Sequence, residues 1–142
     1  MSSDRNKEIV RSYLSAFNDH DEERMAEFVA EDVVEHGARE ELRGFDERVE
    51  FLDTHFEAFP DYAGTTDEMI AEGDIVVARY TVTGTHSGEY HGIEATGHTV
   101  EWSGMAMYRI EDDEIAEIWL EADRLGLLEQ LEALDPPAHL RV

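Results

Sequence analysis

Apolar residues recur with a helical period over the first sixty positions and every second residue afterwards. Within residues 4–29, Ile9, Val10, Tyr13, Leu14 and Phe17 share one helical face. Asn18-Asp19-His20-Asp21 interrupts that face, and Asp21 is placed to cap a second helix running through Phe28, with Met25, Phe28 and Val29 as its apolar side. Val33-Val34-Glu35-His36 reads as a short strand. Gly44 precedes a third helix over 45–58, carrying Phe45, Val49, Leu52 and Phe56 on one face, and Pro60-Asp61 stops it.

Beyond that stop, period-two segments predict strands over 62–72, 74–85, 97–110 and 113–122. The breaks fall at Gly73, in the Gly88–Gly97 connection and at Glu111-Asp112-Asp113. The short Glu72-Gly73-Asp74 turn implies antiparallel neighbours. A last helical piece, Leu125–Leu134, ends at Pro136-Pro137. No linker, repeat or change of composition divides the chain, so residues 1–142 are expected to form one α+β domain, with helices laid on a curled, mostly antiparallel sheet. On 97–110, Val100, Trp102, Gly104, Ala106 and Tyr108 oppose Thr99, Glu101, Ser103, Met105, Met107 and Arg109. On 74–85, Ile75, Val77, Arg79 and Thr81 oppose Val76, Ala78, Tyr80 and Val82. Neither split is cleanly apolar against polar. One face is therefore expected to meet helices, the other a cavity or a subunit contact, and a homodimer or larger homo-oligomer through the sheet follows.

Charge changes the picture more than any other property. The chain has 35 acidic and 11 basic residues, a net charge of −24, and Lys7 is its sole lysine. Such a surface repels itself in dilute buffer and is screened in concentrated salt. The composition points to a halophilic organism and argues against nucleic acid, whose phosphates would be repelled. No apolar run is long enough to span a membrane. The start, MSSDRNKEIV, lacks the pattern of a signal peptide, and cysteine is absent. A cytoplasmic location is expected.

Candidate chemistry centres on Glu114–Leu131, where alternation of Ile115, Glu117 and Trp119 with Ala116, Ile118 and Leu120 runs into Asp123. Two readings of Asp123 stand side by side. In an apolar mouth walled by Trp119 its pKa would rise and it would exchange protons near neutral pH. In solvent it would cap the helix beginning near Leu125. His36, at a strand end, is a second pocket candidate; His86 and His91 flank the Gly88 turn. Arg79 either pairs with Glu101 on a neighbouring strand or faces a ligand oxygen. None of the seven histidines has a metal-ligand spacing, and no nucleotide-loop or serine-hydrolase motif occurs, so no metal is expected.

Two runs carry a family resemblance. GTHSGEYHGIEATGHTVEWSG, Gly84–Gly104, resembles the THxGxFxGxxPTGxxV region of the SnoaL-like polyketide cyclases, also called ester cyclases. IAEIWLEADRLGLLEQL, Ile115–Leu131, resembles their KIxExWxxxDxxGLLQQLG ending. The likeness extends from Asn6 to about Leu134. The family lies in the NTF2-like superfamily, with ketosteroid isomerase and scytalone dehydratase. The resemblance implies a cone-shaped α+β barrel, dimeric or tetrameric through its sheet, that closes rings by intramolecular aldol condensation without cofactor or metal. It puts the acid–base aspartate at Asp123. The chain departs from the pattern in two places: Met105–Arg109 lacks the assisting strand histidine, and Ala95 stands where the proline of PTG is usual.

The expected activity is cofactor-independent acid–base chemistry on a small hydrophobic carbonyl compound, by aldol-type ring closure or isomerisation. Asp123 would take the proton beside the carbonyl, and Tyr13, Tyr62, Tyr80, His36 or Arg79 would supply a donor to the enolate. Trp102 and Trp119 complete the candidate pocket. The alternative is a catalytically silent domain that binds a small molecule in the same cone.

Overall fold

A computed structural model describes residues 3–37 and 41–133. Helix α1 (Ser3–Asn18) is followed by the short α2 (Glu22–Met25), then by strands β1 (Val29–His36) and β2 (Glu41–Arg43). Helix α3 (Phe45–Ala58) leads into β3 (Ala63–Glu72), β4 (Ile75–Thr85), β5 (Thr99–Glu111) and β6 (Glu114–Ala122), and α4 (Arg124–Gln130) closes the described chain. The six strands form one sheet in the order β2-β1-β6-β5-β4-β3. All neighbours are antiparallel except β1 and β6, which run parallel.

Local chemistry accounts for most boundaries. Asp21 caps α2, its carboxylate accepting the Arg24 N–H at 3.1 Å. The second helix stops at Met25 rather than Phe28, because the chain turns there into β1, which starts earlier than the sequence pattern suggested. The third helix occupies the expected residues. The three-residue β2 has no period-two signal, and the sequence pattern did not show it. Pro136-Pro137, expected to end the last helix, and His139 lie outside the described residues.

Strand β5 alternates exposed and buried almost without fault, with Val100, Trp102, Ala106 and Tyr108 inward. They pack with Val76, Ala78 and Val82 of β4 against α1 and α3. Gly104 breaks the inward row for a steric reason: a Cβ there would lie 2.4 Å from the Tyr80 hydroxyl and 2.7 Å from the Glu121 carbonyl oxygen. The glycine thus lets Tyr80 cross over the neighbouring strand.

Strand β6 carries a bulge. Ile110 pairs with Ile115 but Arg109 pairs with Glu117, so one extra residue sits opposite the join. The side-chain parity flips there. Ile115 and Ile118 are both buried, Leu120 and Ala122 turn inward, and Trp119 is carried to the outer face with Glu117.

The connection from β4 to β5 folds back over the end of α3. The Ser87 and Gly88 N–H groups both donate to the Ala58 carbonyl, at 3.0 and 3.1 Å. Gly88 is needed for that approach, since a Cβ would come within 2.3 Å of the Glu57 carbonyl oxygen. Inside the loop, buried His86 accepts the Thr96 N–H on Nδ1 at 3.1 Å. The strap holds Tyr90 inward against Phe59.

Candidate active site

Between the helices and the inner sheet face lies a cavity of about 840 Å³, counted with its opening. Its wall is mainly aromatic and aliphatic, with Tyr62, Tyr80, Tyr90 and Trp102 among its rings. Among the described residues no aspartate or glutamate lines it, although acids make up 35 of the 142 residues. The charged residues that do line it are Arg48 and Arg124.

Arg48 occupies the buried end. It lies on α3 one turn before Leu52 and two before His55, and all three face inward. Its guanidinium pairs with buried Glu35 of β1, and its Nε donates to the Tyr13 hydroxyl at 2.8 Å. Nη2 donates to the same hydroxyl. Burial opposes the charge on Arg48, but Glu35 and then Tyr13 outweigh it and keep the guanidinium protonated. Tyr13 therefore accepts two hydrogen bonds, and among the described residues none takes its own proton. Burial raises its pKa, and Arg48 opposes that rise. The result is a phenol polarised by a cation and free to donate into the cavity.

His55 stands farther along the same helix. Its Nδ1 lies 3.3 Å from the Phe51 carbonyl oxygen. A carbonyl can only accept, so Nδ1 carries the proton and Nε2 presents a lone pair. Nε2 lies 3.4 Å from the Tyr90 hydroxyl. Burial lowers the imidazole pKa to about 4, with the Phe51 carbonyl opposing and Arg124 adding to the effect. The ring is neutral at neutral pH. Burial also pushes the Tyr80 hydroxyl up to about 12 and raises that of Tyr62, so both remain protonated.

Of the residues expected from sequence, Tyr13, Tyr62, Tyr80 and Trp102 line the cavity. The other four are placed elsewhere. Asp123 is exposed and caps α4, its Oδ1 accepting the Gly126 N–H at 2.8 Å, the second of the two readings above. Trp119 is turned outward by the β6 bulge and stacks on His36, with ring centroids 5.3 Å apart. His36 Nε2 lies 2.6 Å from Glu117 Oε2. That contact, with help from Arg109, holds the Glu117 carboxyl below its ordinary value. Arg79 is exposed opposite Met105, whereas Glu101 lies opposite Thr83, so the expected Arg79–Glu101 pair is not formed. His91 is exposed beside Tyr90.

Arg48 and His55 on α3 and Glu35 on β1 were not among the site residues expected from sequence. The available signal was the helical spacing itself: 48, 52 and 55 continue the face of the apolar positions 45, 49, 52 and 56. Among the described residues no group of three or more His, Asp or Glu side chains is arranged to hold a metal ion. No described helix is long and apolar enough to cross a membrane.

The family model for SnoaL-like polyketide cyclases matches residues 7–131. No curated protein matches the chain. Among solved structures, AclR from Streptomyces galilaeus, proposed to be a hydroxylase, is 28% identical with a TM-score of 0.87, covering 94% of this chain and 100% of its own. TsrD from Streptomyces laurentii is 27% identical with a TM-score of 0.85, over 94% and 99% of the two chains. Wild-type IdmH from Streptomyces antibioticus, proposed to be a polyketide cyclase, is 28% identical with a TM-score of 0.80, over 89% and 98%. The α+β architecture is thus that of the SnoaL-like proteins.

Proposed function

Starting from a chain that belongs to the SnoaL-like polyketide cyclase family, we propose that its cavity binds a small, largely apolar carbonyl compound and enolises it by acid–base chemistry without a cofactor. The observation that carries this reading is the Tyr13 hydroxyl, fixed by Arg48 and Glu35 at the buried end of an apolar cavity with its proton unclaimed. A donor so placed meets a developing oxyanion with little reorganisation, which is where electrostatic catalysis is strongest.

The step follows from the two groups. His55 Nε2 takes a proton from the carbon next to the substrate carbonyl, and the C–H electron pair becomes the enolate. Its oxygen accepts the Tyr13 hydrogen bond. The enolate then either takes the proton back from His55 at another carbon of a conjugated system, giving isomerisation, or attacks through its carbon a second carbonyl of the same molecule. In the second case a C–C bond forms and the new alkoxide takes the proton from His55. A base with a pKa near 4 suffices only if the enolate is strongly stabilised, which assigns most of the work to Tyr13 and Arg48. Asp123 keeps its capping role in this scheme.

One observation favours the second reading, a silent binding domain: among the described residues no carboxylate faces the cavity. Exchange of the α-protons of 2-tetralone in D2O, followed by NMR, separates the two without knowledge of the natural substrate. Enolisation predicts exchange faster than in buffer, a loss of about 100-fold in Tyr13→Phe, and little change in Asp123→Asn. Exchange no faster than buffer would leave a binding domain. Loss of exchange in a folded Asp123→Asn would return the base to that residue.

The proposal includes a homodimer or larger homo-oligomer built on the outer sheet face. Met105 is 50% exposed there and Ile70 61% exposed, beside Val77, Met107 and Trp119 on adjacent strands. It also includes a halophilic setting. Sedimentation and melting across potassium chloride test both: a dimer or larger species in molar salt, and a melting midpoint that climbs as repulsion is screened. A 16.2 kDa species at every concentration, or a flat midpoint, would remove the corresponding part.

A further inference from the structure

The two arginines of the cavity are not equivalent. Arg48 is fully engaged by Glu35 and Tyr13. Arg124, the first residue of α4, sits half-buried in the wall, its guanidinium carbon 5.8 Å from the centre of the Phe51 ring. Among the described residues no carboxylate lies within ion-pairing distance of it. Its neighbour Asp123 is the nearest in sequence, and that carboxylate is occupied by the Gly126 N–H. In a chain with 35 acids and 11 bases, a cation without a carboxylate partner is unexpected. Its charge is felt inside the cavity, where it opposes protonation of His55 and favours ionisation of Tyr80 and Tyr90. The Phe51 face restrains the side chain, so little conformational freedom remains to be lost when an anion arrives.

We propose that Arg124 is the anchor for a carboxylate on the ligand, so that the cavity selects an ionised aromatic or polycyclic acid over its neutral ester or amide. The inference deepens the proposed function and rests on this cavity being the ligand site. Among the described residues the wall holds no acid to repel the anion. The buried end offers a carboxylate only the single Tyr13 donor, because Arg48 is already engaged by Glu35 and Tyr13. The ligand is then oriented from two points: its carboxylate on the guanidinium of Arg124, and its reacting carbonyl toward Tyr13. Arginine suits the first role because its planar fork matches a carboxylate.

The test is binding alone, by calorimetry in molar potassium chloride, where repulsion from the acidic surface is screened to about 3 Å. The probes are 2-naphthoate and 2-naphthamide, which share a shape and differ in charge. Wild type should bind the acid about tenfold or more tightly than the amide. Arg124→Gln should erase that ratio by weakening the acid and leaving the amide unchanged, and Arg124→Lys should keep part of it. Equal binding of the two probes, no measurable binding of either, an acid preference that survives Arg124→Gln, or parallel weakening of both probes would each overturn the proposal. The tetralone exchange needs no carboxylate, so the anchor and the enolisation can fail separately.

Discussion

Arg48 and Arg124 line one cavity, yet their surroundings give them opposite duties. The first is buried with an acid and a phenol, which take its donors, so it acts on a ligand only through Tyr13. The second lies on an aromatic ring with no carboxylate partner among the described residues. A buried guanidinium paired with an acid is held in place by its own partners and polarises Tyr13; one at the wall with no carboxylate partner among the described residues is available to a ligand's carboxylate. What distinguishes them is the position of the nearest carboxylates: Glu35 on β1 meets Arg48, whereas Asp123 turns away to cap α4.

The largest expected effect breaks the buried end. Arg48→Met leaves Glu35 charged and unpaired in the interior, and denaturant unfolding in high salt should show a loss of about 3–5 kcal/mol. Arg124→Gln should cost no more than about 0.5 kcal/mol, the usual range away from a buried network. Similar losses in the two variants would mean that both arginines are structural and the contrast is false.

A somewhat smaller effect is read through pH. His55 is neutral in the fold, with its pKa lowered from 6.5 to about 4 by burial. Between those values the unfolded chain binds a proton that the folded one refuses. Stability is therefore expected to fall as pH drops from about 6.5 to about 4, by up to roughly 3 kcal/mol. Protonation of the surface acids relieves repulsion over part of the same range, so the informative quantity is the difference from His55→Gln. That variant should lack the His55 contribution; identical pH profiles would show that the imidazole is not held neutral.

How far the sequence carried depended on the kind of residue. The switch from helical to period-two patterning located α3 and placed β3–β6 closely, because apolar faces must alternate with the geometry of their element. The inward rows of β4 and β5 followed for the same reason. The active-site polar groups did not. A buried arginine, glutamate or histidine looks like a solvent residue until its partner is known, and Glu35 lies on β1, away from Arg48 and His55 on α3. The β6 bulge was equally hidden: one extra residue before Glu117 breaks the alternation begun at Ile115, so Trp119 does not share that residue's inward face. Asp123 matched a family motif by position, but position alone did not decide between acid–base group and helix cap.

The proposed chemistry turns on the Tyr13–Arg48 end of the cavity stabilising an oxyanion. Bound 2-naphthol tests it directly, since its ionised oxygen mimics an enolate and its absorbance reports ionisation. Burial by itself raises the pKa of a phenol. The expected result for wild type is the reverse: bound naphthol ionises at lower pH than naphthol in solution, and Tyr13→Phe reverses that shift while the ligand still binds. A bound naphthol that ionises at higher pH in wild type, or one whose ionisation ignores Tyr13→Phe, would contradict it.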